Sequence, residues 1–483
     1  MMTATPSTVA KGDVLGAQLG DPRRTKRLAH LVDALSVSPA LSLPDVLSEA
    51  ELEAAYRFMS NDDVTFEAVV DAQCDKTAER CAEADVTLVL HDTTEFSFAL
   101  RDGVYRENLS NLSSRRQGFY LHASLAVSGD GERRPLGLIA ARPFVHLSGV
   151  AHDPETQAFW AEHDGLFANE NTRWFESVTA TELTLEAVNT EVVHVADREG
   201  DSYDFLASMA SLDFRFVVRC NQDRSIEDDH DHDEVAARIR QRLGREKFFA
   251  EQREVSLSPR TATRSASALK THPARTARTA LLSFRACTMT IKRPAGANHP
   301  DYLPGTIRLT ALEAVERNPP PGQEQVQWLL LTTTRCDTID DAFRVVDWYR
   351  ARWVIEEYFK ALKTGCSYEA RQFGTAHALL NMLAVTFAIA TQMLALRHLS
   401  RHRPEADALI VFSPQQLALL AALIPKAKIT ARSSILDALM AVAKLGGHLK
   451  RNGPPGWLVL YRGYARLHHA EAGWQAMQSV REV

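Results

Sequence analysis

Residues 349–363 read YRARWVIEEYFKALK. Tyr349, Arg352, Glu356, Lys360 and Lys363 follow one another at intervals of three, four, four and three, so a helix through them would carry all five on one face. The glutamates, Ala361 and Leu362 favour a helix, and Gly365 stands where the chain can turn after the last cation. At about 1.5 Å of rise per residue such a helix runs about 21 Å, roughly four turns. One carboxylate would then sit among three cations, an arrangement suited to a nucleic-acid backbone, with Glu356 free to serve a metal. The plainer reading is a solvated ladder of Arg352, Glu356 and Lys360, worth a few tenths of a kcal/mol per pair, and spacing alone favours it.

The 483 residues suit roughly two to four domains. Composition is that of an ordinary globular protein, and the formal net charge of −6 announces no nucleic-acid partner, so any electrostatic footprint has to be local. Six cysteines form no CxxC pair and follow no secretory signal, which predicts free thiols in a reduced, cytoplasmic setting. The apolar run Leu379–Leu396 is interrupted by Asn381, Thr386, Thr391 and Gln392, which reads as a buried helix rather than a membrane span.

Toward the amino end, Gly20-Asp21-Pro22 precedes Arg23, Arg24, Lys26 and Arg27, the pattern of a helix with Asp as cap and Pro in its first turn. Such cations can grip phosphates, although exposed basic helices are common. Ser48–Met59 predicts a second helix with Leu52, Tyr56 and Phe58 on its apolar side, and Thr65–Glu83 a third. Character changes at Val86–His91, a continuous apolar run of the kind that fills a buried strand, with Asp92 at its end. Phe119–Val127 and Pro135–Ala141 predict antiparallel strands across the turn 128–131. Trp174–Ala187 is helical in pattern, and Glu191–Ala196 is another apolar strand that again ends in an aspartate, Asp197.

Two strands ending in Asp and a distant helix offering Glu356 form a constellation. Three carboxylates brought together repel unless a divalent cation neutralises them, and hard oxygen ligands near phosphate suit Mg²⁺ or Mn²⁺. Two such ions, roughly 3.5 to 4 Å apart, can activate a nucleophile and stabilise the leaving oxygen of an in-line phosphoryl displacement. Glu199 and Asp201 are rival ligands on the same loop; solvation of Glu199 and helix capping by Asp201 are the simpler readings.

The acidic and histidine run 227–234 resembles a metal site but reads better as a solvated loop. Between Pro259 and Arg285, Arg260, Arg264, Lys270, Arg275, Arg278 and Arg285 occur without an acid, so a basic strand pair along DNA and an exposed insertion are both open. Leu303–Ala314 and Gln325–Thr333 predict strands. Ala376–Leu399, Pro414–Leu423, Ile435–Leu445 and Trp457–Ser479 predict helices, suited to packing or dimerisation rather than catalysis.

The segments LGDPRRTKRL (19–28), AYRFMSN (55–61), HDTTEFS (91–97), VADREGD (195–201), RFVVRC (215–220), QWLLLTT (327–333) and YRARWVIEEYFKALKTG (349–365), with Pro455–Trp457 and Arg462-Gly463, together resemble the bacterial cut-and-paste DDE transposases of the insertion sequence 4 family. The resemblance spans nearly the whole chain, with the motifs in the family's order. It implies an α/β fold: an RNase H-like catalytic core, a mixed sheet flanked by helices, over 71–400 with a β-rich insertion at about 221–325. All-helical parts would flank it, a DNA-end-binding domain over 1–70 and a dimerisation domain over 401–483.

Carried over residue by residue, the resemblance makes Asp92, Asp197 and Glu356 the catalytic, metal-binding triad, holding two Mg²⁺ ions for which Mn²⁺ can substitute. Tyr349, Arg352, Glu356 and Lys363 match the family's Tyr-Arg-Glu-Lys signature, in which the phenol and cations hold phosphates, and Lys360 lies in phase with them. Arg219 joins this DNA-contacting set. Trp328 falls where the family stacks a tryptophan on a base flipped from the transposon end during hairpin formation, a contact worth roughly 1 to 3 kcal/mol; as a sequence feature alone it reads as a core aromatic. Arg23, Arg24 and Arg27 match the region that reads transposon ends.

The implied partners are double-stranded DNA, as terminal inverted repeats and as target, and a second copy of the chain in the synaptic complex, with no membrane. The implied activity is cleavage at the element's ends through a hairpin, followed by joining of the 3′-hydroxyls to target DNA. A catalytically silent DNA-binding regulator derived from such an enzyme is the alternative.

Overall fold

Val86–Ala99 (β1) is the strand from which the sheet is laid out. The computed structural model describes residues 6–39, 41–100, 105–167, 171–227, 237–257, 275–296, 299–449 and 455–481. Thr87 to His91 are all buried, as an apolar run covered on both faces requires. β1 pairs antiparallel with Arg116–Ser128 (β3) along most of its length, but parallel with Glu191–Ala196 (β6) only from Val86 to Leu90. The strand is therefore longer than its apolar run predicts, and Asp92 lies inside it rather than at its end. β3 goes on supplying backbone partners out to Ala99 after the parallel neighbour has stopped. Asp92 stands where the sheet opens on one side.

Pro135–His146 (β4) pairs with β3, and Arg215–Arg219 (β7) lies parallel to β6. The run β4-β3-β1-β6-β7, antiparallel and then parallel, flanked by helices, is an RNase H-like core. Leu166–Phe167 (β5) borders β4, and Ser110–Ser113 (β2) pairs with β3 off the main path. On the other side come Gln327–Thr332 (β11), Thr306–Glu316 (β10), Arg278–Lys292 (β9) and Gln252–Leu257 (β8), each antiparallel to its neighbour. The β-rich insertion thus extends the core sheet through β11. The acidic and histidine run after Glu227, and Arg260, Arg264 and Lys270, lie outside the described residues.

Strand alternation sorts two cores. Phe216 and Val218 of β7 and Leu329 and Leu331 of β11 face helices 171–185 and 203–211. Val217 and Leu330 face the opposite way, into a core shared with helices Ile339–Ala351, Trp353–Lys360 and Ala376–His402 and with the amino-terminal helices.

The amino-terminal helices are Pro6–Val14, Pro22–Val37, Leu43–Val46, Glu49–Met59 and Phe66–Cys81. Asp21 caps the second by accepting from the Arg23 amide at 2.8 Å. Tyr56, expected on the apolar side of its helix, is instead substantially exposed and lies edge-on to Phe373. Ala376–His402 is long and apolar enough to cross a membrane, but 78% of its most apolar window is buried inside the protein. Its polar residues serve that burial: Asn381 Nδ2 donates to the carbonyls of Met59 and Val64 at 3.1 and 2.7 Å. All six cysteines are free.

Helices Pro414–Leu423, Ile435–Leu445 and Trp457–Arg481 enclose a separate carboxyl-terminal core. Its last two helices cross at Gly463, where a Cβ would stand 1.9 Å from the Val442 carbonyl oxygen.

Candidate active site

Helix 339–351 ends where the motif begins its work. The chain breaks step at Arg352, whose amide donates to the Tyr349 carbonyl at 3.1 Å, and resumes as Trp353–Lys360 before a π turn over Ala361–Gly365. The single straight helix expected over 349–363 is therefore three pieces. A π turn takes an extra residue per turn, so the face slips. Lys360, ahead of that turn, is exposed above the Trp353 ring at 5.1 Å, while Lys363, within it, is half-buried over Phe96 of β1 at 5.5 Å. Burial holds Lys363 below its usual value, with Glu369 and Glu95 opposing.

Two carboxylates of the expected triad meet one cation. Arg352 Nη1 donates to Asp92 Oδ2 at 2.9 Å, and Nη2 donates to Glu356 Oε1 at 2.6 Å. All three side chains are less than a third exposed, at 13%, 16% and 28% for Arg352, Asp92 and Glu356. Asp197, the residue after β6, is half-exposed and caps the turn that follows by accepting from the Glu199 amide at 2.8 Å.

Electrostatics link the four groups. Burial raises Asp92 from 3.8 to about 7; Arg352 opposes this, and Asp197 and Glu356 add to it. Burial works against the charge on Arg352, yet Asp92, Tyr349, Glu356 and Asp197 together hold it above its usual value. The two shifts agree physically, because the guanidinium answers three carboxylates while Asp92 has one cation against two anions and a dry setting. Among the described residues no three His, Cys, Asp or Glu side chains stand together as a ready ion-holding group. The guanidinium lies between two of the carboxylates.

Beside this group, Arg219 Nη1 stands 3.5 Å from the Tyr349 hydroxyl, and its Nη2 donates to the Gln327 carbonyl at 3.4 Å. Trp328 is half-buried on β11, its ring 6.1 Å from that of Tyr349, so it is neither a fully enclosed core residue nor a free one. Farther off, Arg23 is paired with Asp21 at 2.7 Å and Arg24 with Asp63. Arg27 is half-buried on the same helix. Arg278 and Arg285, candidates for a basic strand pair, are paired with Glu316 and Glu313 on neighbouring β10 at 2.5 and 2.6 Å. Their charge is spent inside the sheet.

Asp201 is not the helix cap expected of it. Ser202 takes that role, accepting from the Phe205 amide, while Asp201 is buried against Arg224 and accepts from the Gln222 amide at 2.8 Å. Sequence reasoning also missed a buried polar chain beneath Asp92. Ser124 Oγ and His91 Nδ1 are 2.9 Å apart, His91 Nε2 and His194 Nδ1 2.9 Å, and His194 Nε2 and Glu182 Oε1 2.7 Å. Its signal was a histidine shortly before each aspartate, His91 one residue ahead of Asp92 and His194 three ahead of Asp197. Burial holds His91 well below its usual range, and so uncharged.

Two family models match the chain: a transposase DNA-binding model over residues 7–64 and a transposase DDE domain over residues 176–391. The first spans Arg23, Arg24 and Arg27; the second spans Asp197, Trp328, Glu356 and the cations around it and begins after Asp92.

Proposed function

Because the chain carries a transposase DNA-binding domain followed by a DDE transposase domain, we propose that it is a cut-and-paste DNA transposase resembling the insertion sequence 4 family. It would bind terminal inverted repeats, excise its element and join the 3′-hydroxyl ends to target DNA. One observation supports this most: Arg352 joins Asp92 and Glu356, groups remote in the chain, with Asp197 in the same electrostatic field.

The donor set fits divalent cations. All three candidates are hard carboxylate oxygens, and the load on Asp92 is of the kind a cation relieves. Asp92, Asp197 and Glu356 would hold Mg²⁺, or Mn²⁺ in its place, two ions to a site; bound there, such ions supply Lewis acidity to the attacking and leaving oxygens.

The chain's own residues do the positioning. Arg352, once drawn off the two carboxylates, offers a planar fork for a phosphate. The Tyr349 hydroxyl and Arg219 line the same wall, and Lys363 and exposed Lys360 extend it. Water attacks the phosphodiester at the element's end and frees a 3′-hydroxyl, which attacks the opposite strand to close a hairpin. Reopening by water and attack on target DNA follow, all as in-line phosphoryl displacements at one site. Trp328 would hold the flipped base beside Tyr349. Arg23 and Arg24 would exchange their aspartates for end phosphates, with Arg27 beside them. A homodimer bridging two ends would form through the carboxyl-terminal helices, where Trp474, Met477 and Val480 expose apolar surface on the last helix.

Asp92→Asn, Asp197→Asn and Glu356→Gln, assayed with Mg²⁺ on a DNA fragment bearing the element's own ends, are each expected to bind the ends and leave them uncut. Nicking retained by any one variant removes that residue from the catalytic set. Binding without cutting by the unaltered protein would point to the silent regulator.

A further inference from the structure

On the other flank of helix 339–351, three guanidinium groups surround one carboxylate. Asp347 Oδ2 accepts from Arg253 of β8 at 2.6 Å, while Asp347 Oδ1 lies 3.3 Å from Arg350 and 3.6 Å from Arg133, in the turn between β3 and β4. The cluster carries a formal +2 and is neither sealed nor fully solvated, its four side chains being 24–34% exposed. The three arginines come from three separate segments, so they are not a chance run in the sequence.

The arrangement holds more positive charge than its own carboxylate answers. Arg133 is pushed below its usual value first by burial and then by Arg350, with Asp347 opposing and Arg253 adding. Its Nε is buried with no hydrogen-bond partner. The backbone of Arg133 is left-handed, with φ 58°, uncommon for a residue with a long side chain. Arg253 is further fixed by lying over the Phe343 ring at 5.3 Å. Three fixed forks sharing one acceptor leave donors for a second anion.

We infer that the Arg133–Arg253–Arg350 cluster is a phosphate-binding site, where a DNA backbone phosphate takes the place beside Asp347 that the surplus charge leaves open. The inference rests on the DNA-handling role proposed above and deepens it. Asp347 stands five residues before the break at Arg352, on the helix that leads into the site. A duplex held at Asp92 and running past helix 339–351 would present backbone phosphates to the cluster. Guanidinium forks suit the delocalised oxygens of a phosphodiester, and partial exposure leaves them reachable.

The test is DNA affinity against salt. The full-length protein and the Arg133→Gln/Arg253→Gln double variant are titrated by fluorescence anisotropy on an end-bearing and an unrelated fragment between 50 and 200 mM salt. Each phosphate contact contributes about 0.9 to the slope of log affinity against log salt. The double variant is expected to lose about one such unit on both fragments alike, and Asp347→Asn, with its cations freed, is expected to bind both more tightly. An unchanged slope in the double variant overturns the site. Weaker binding by Asp347→Asn also overturns it, since the cluster is then an internal ion-pair hub. A double variant that binds DNA normally but no longer self-associates in sedimentation shows an acidic surface of a second copy to be the occupant and likewise overturns it. If the unaltered protein binds neither fragment, the DNA-handling role falls together with the inference; if it binds both and the variant matches it, only the inference falls.

Discussion

Replacing Asp92 by asparagine is expected to stabilise the protein in the absence of divalent ions, by an amount that grows between about pH 4 and about pH 7. Its carboxyl is raised from 3.8 to about 7 by burial and by the anions beside it. A group protonated more readily in the folded than in the unfolded chain contributes stability that is complete below the unfolded value and is lost as pH rises through the folded one. Here the window runs from about pH 4 to about pH 7. Three units at about 1.36 kcal/mol each set a ceiling of about 4 kcal/mol, and the 16% exposure of Asp92 leaves most of it intact. Asparagine keeps the shape, leaves Arg352 paired with Glu356 and carries no charge to desolvate. Urea unfolding of both proteins in chelator, followed by tryptophan fluorescence at pH 5 and pH 8, measures the difference. The asparagine variant should gain on the unaltered protein as pH rises and level off above about pH 7. Parallel pH profiles would refute the electrostatic account of the site, and so would a variant weakened more at pH 8 than at pH 5.

Burial drives His122 from 6.5 to about 3, the opposite case: its stability is present above about pH 6.5 and drains away as pH falls toward 3, because the unfolded chain takes a proton that the folded ring refuses. His122→Asn should flatten the acid limb of the same urea profile, and an unaltered limb would count against it. Arg224→Ala strands buried Asp201 and should cost about 3–5 kcal/mol, read from the urea midpoint; a loss under about 1 kcal/mol would show that the pair is not structural. Trp328→Ala should nick the first strand at a normal rate but accumulate it without hairpin product on a denaturing gel, and normal hairpin yield would return the indole to a packing role.

Elements whose own residues decide them were legible. Glu191–Ala196, Pro414–Leu423 and Ile435–Leu445 occupy the ranges that apolar pattern and punctuation mark out, and Asp21, Ser48 and Thr65 stand at helix starts. What escaped depends on partners distant in the chain. The second half of β1 is strand because β3 holds it, although its polar alternation does not resemble the apolar run before it. The step at Arg352 brings a cation between two carboxylates, which spacing along an ideal helix does not encode. Asp201 looked like a cap because Arg224, which claims it, lies beyond the next strand. The site residues themselves were legible as a set of charges; their present pairing was not.

Helix Ala376–His402 binds the amino-terminal helices through Asn381 and Gln73 and shares one core with the catalytic sheet. The part of the molecule proposed to grasp DNA and the part proposed to sever it are therefore packed against each other. If one copy both grasps and severs the same end, that packing would set the interval between the grasped base pair and the severed bond, like the jaws of a caliper. Lengthening the DNA between them by one pair should move the cut by one pair, whatever letters stand at the junction.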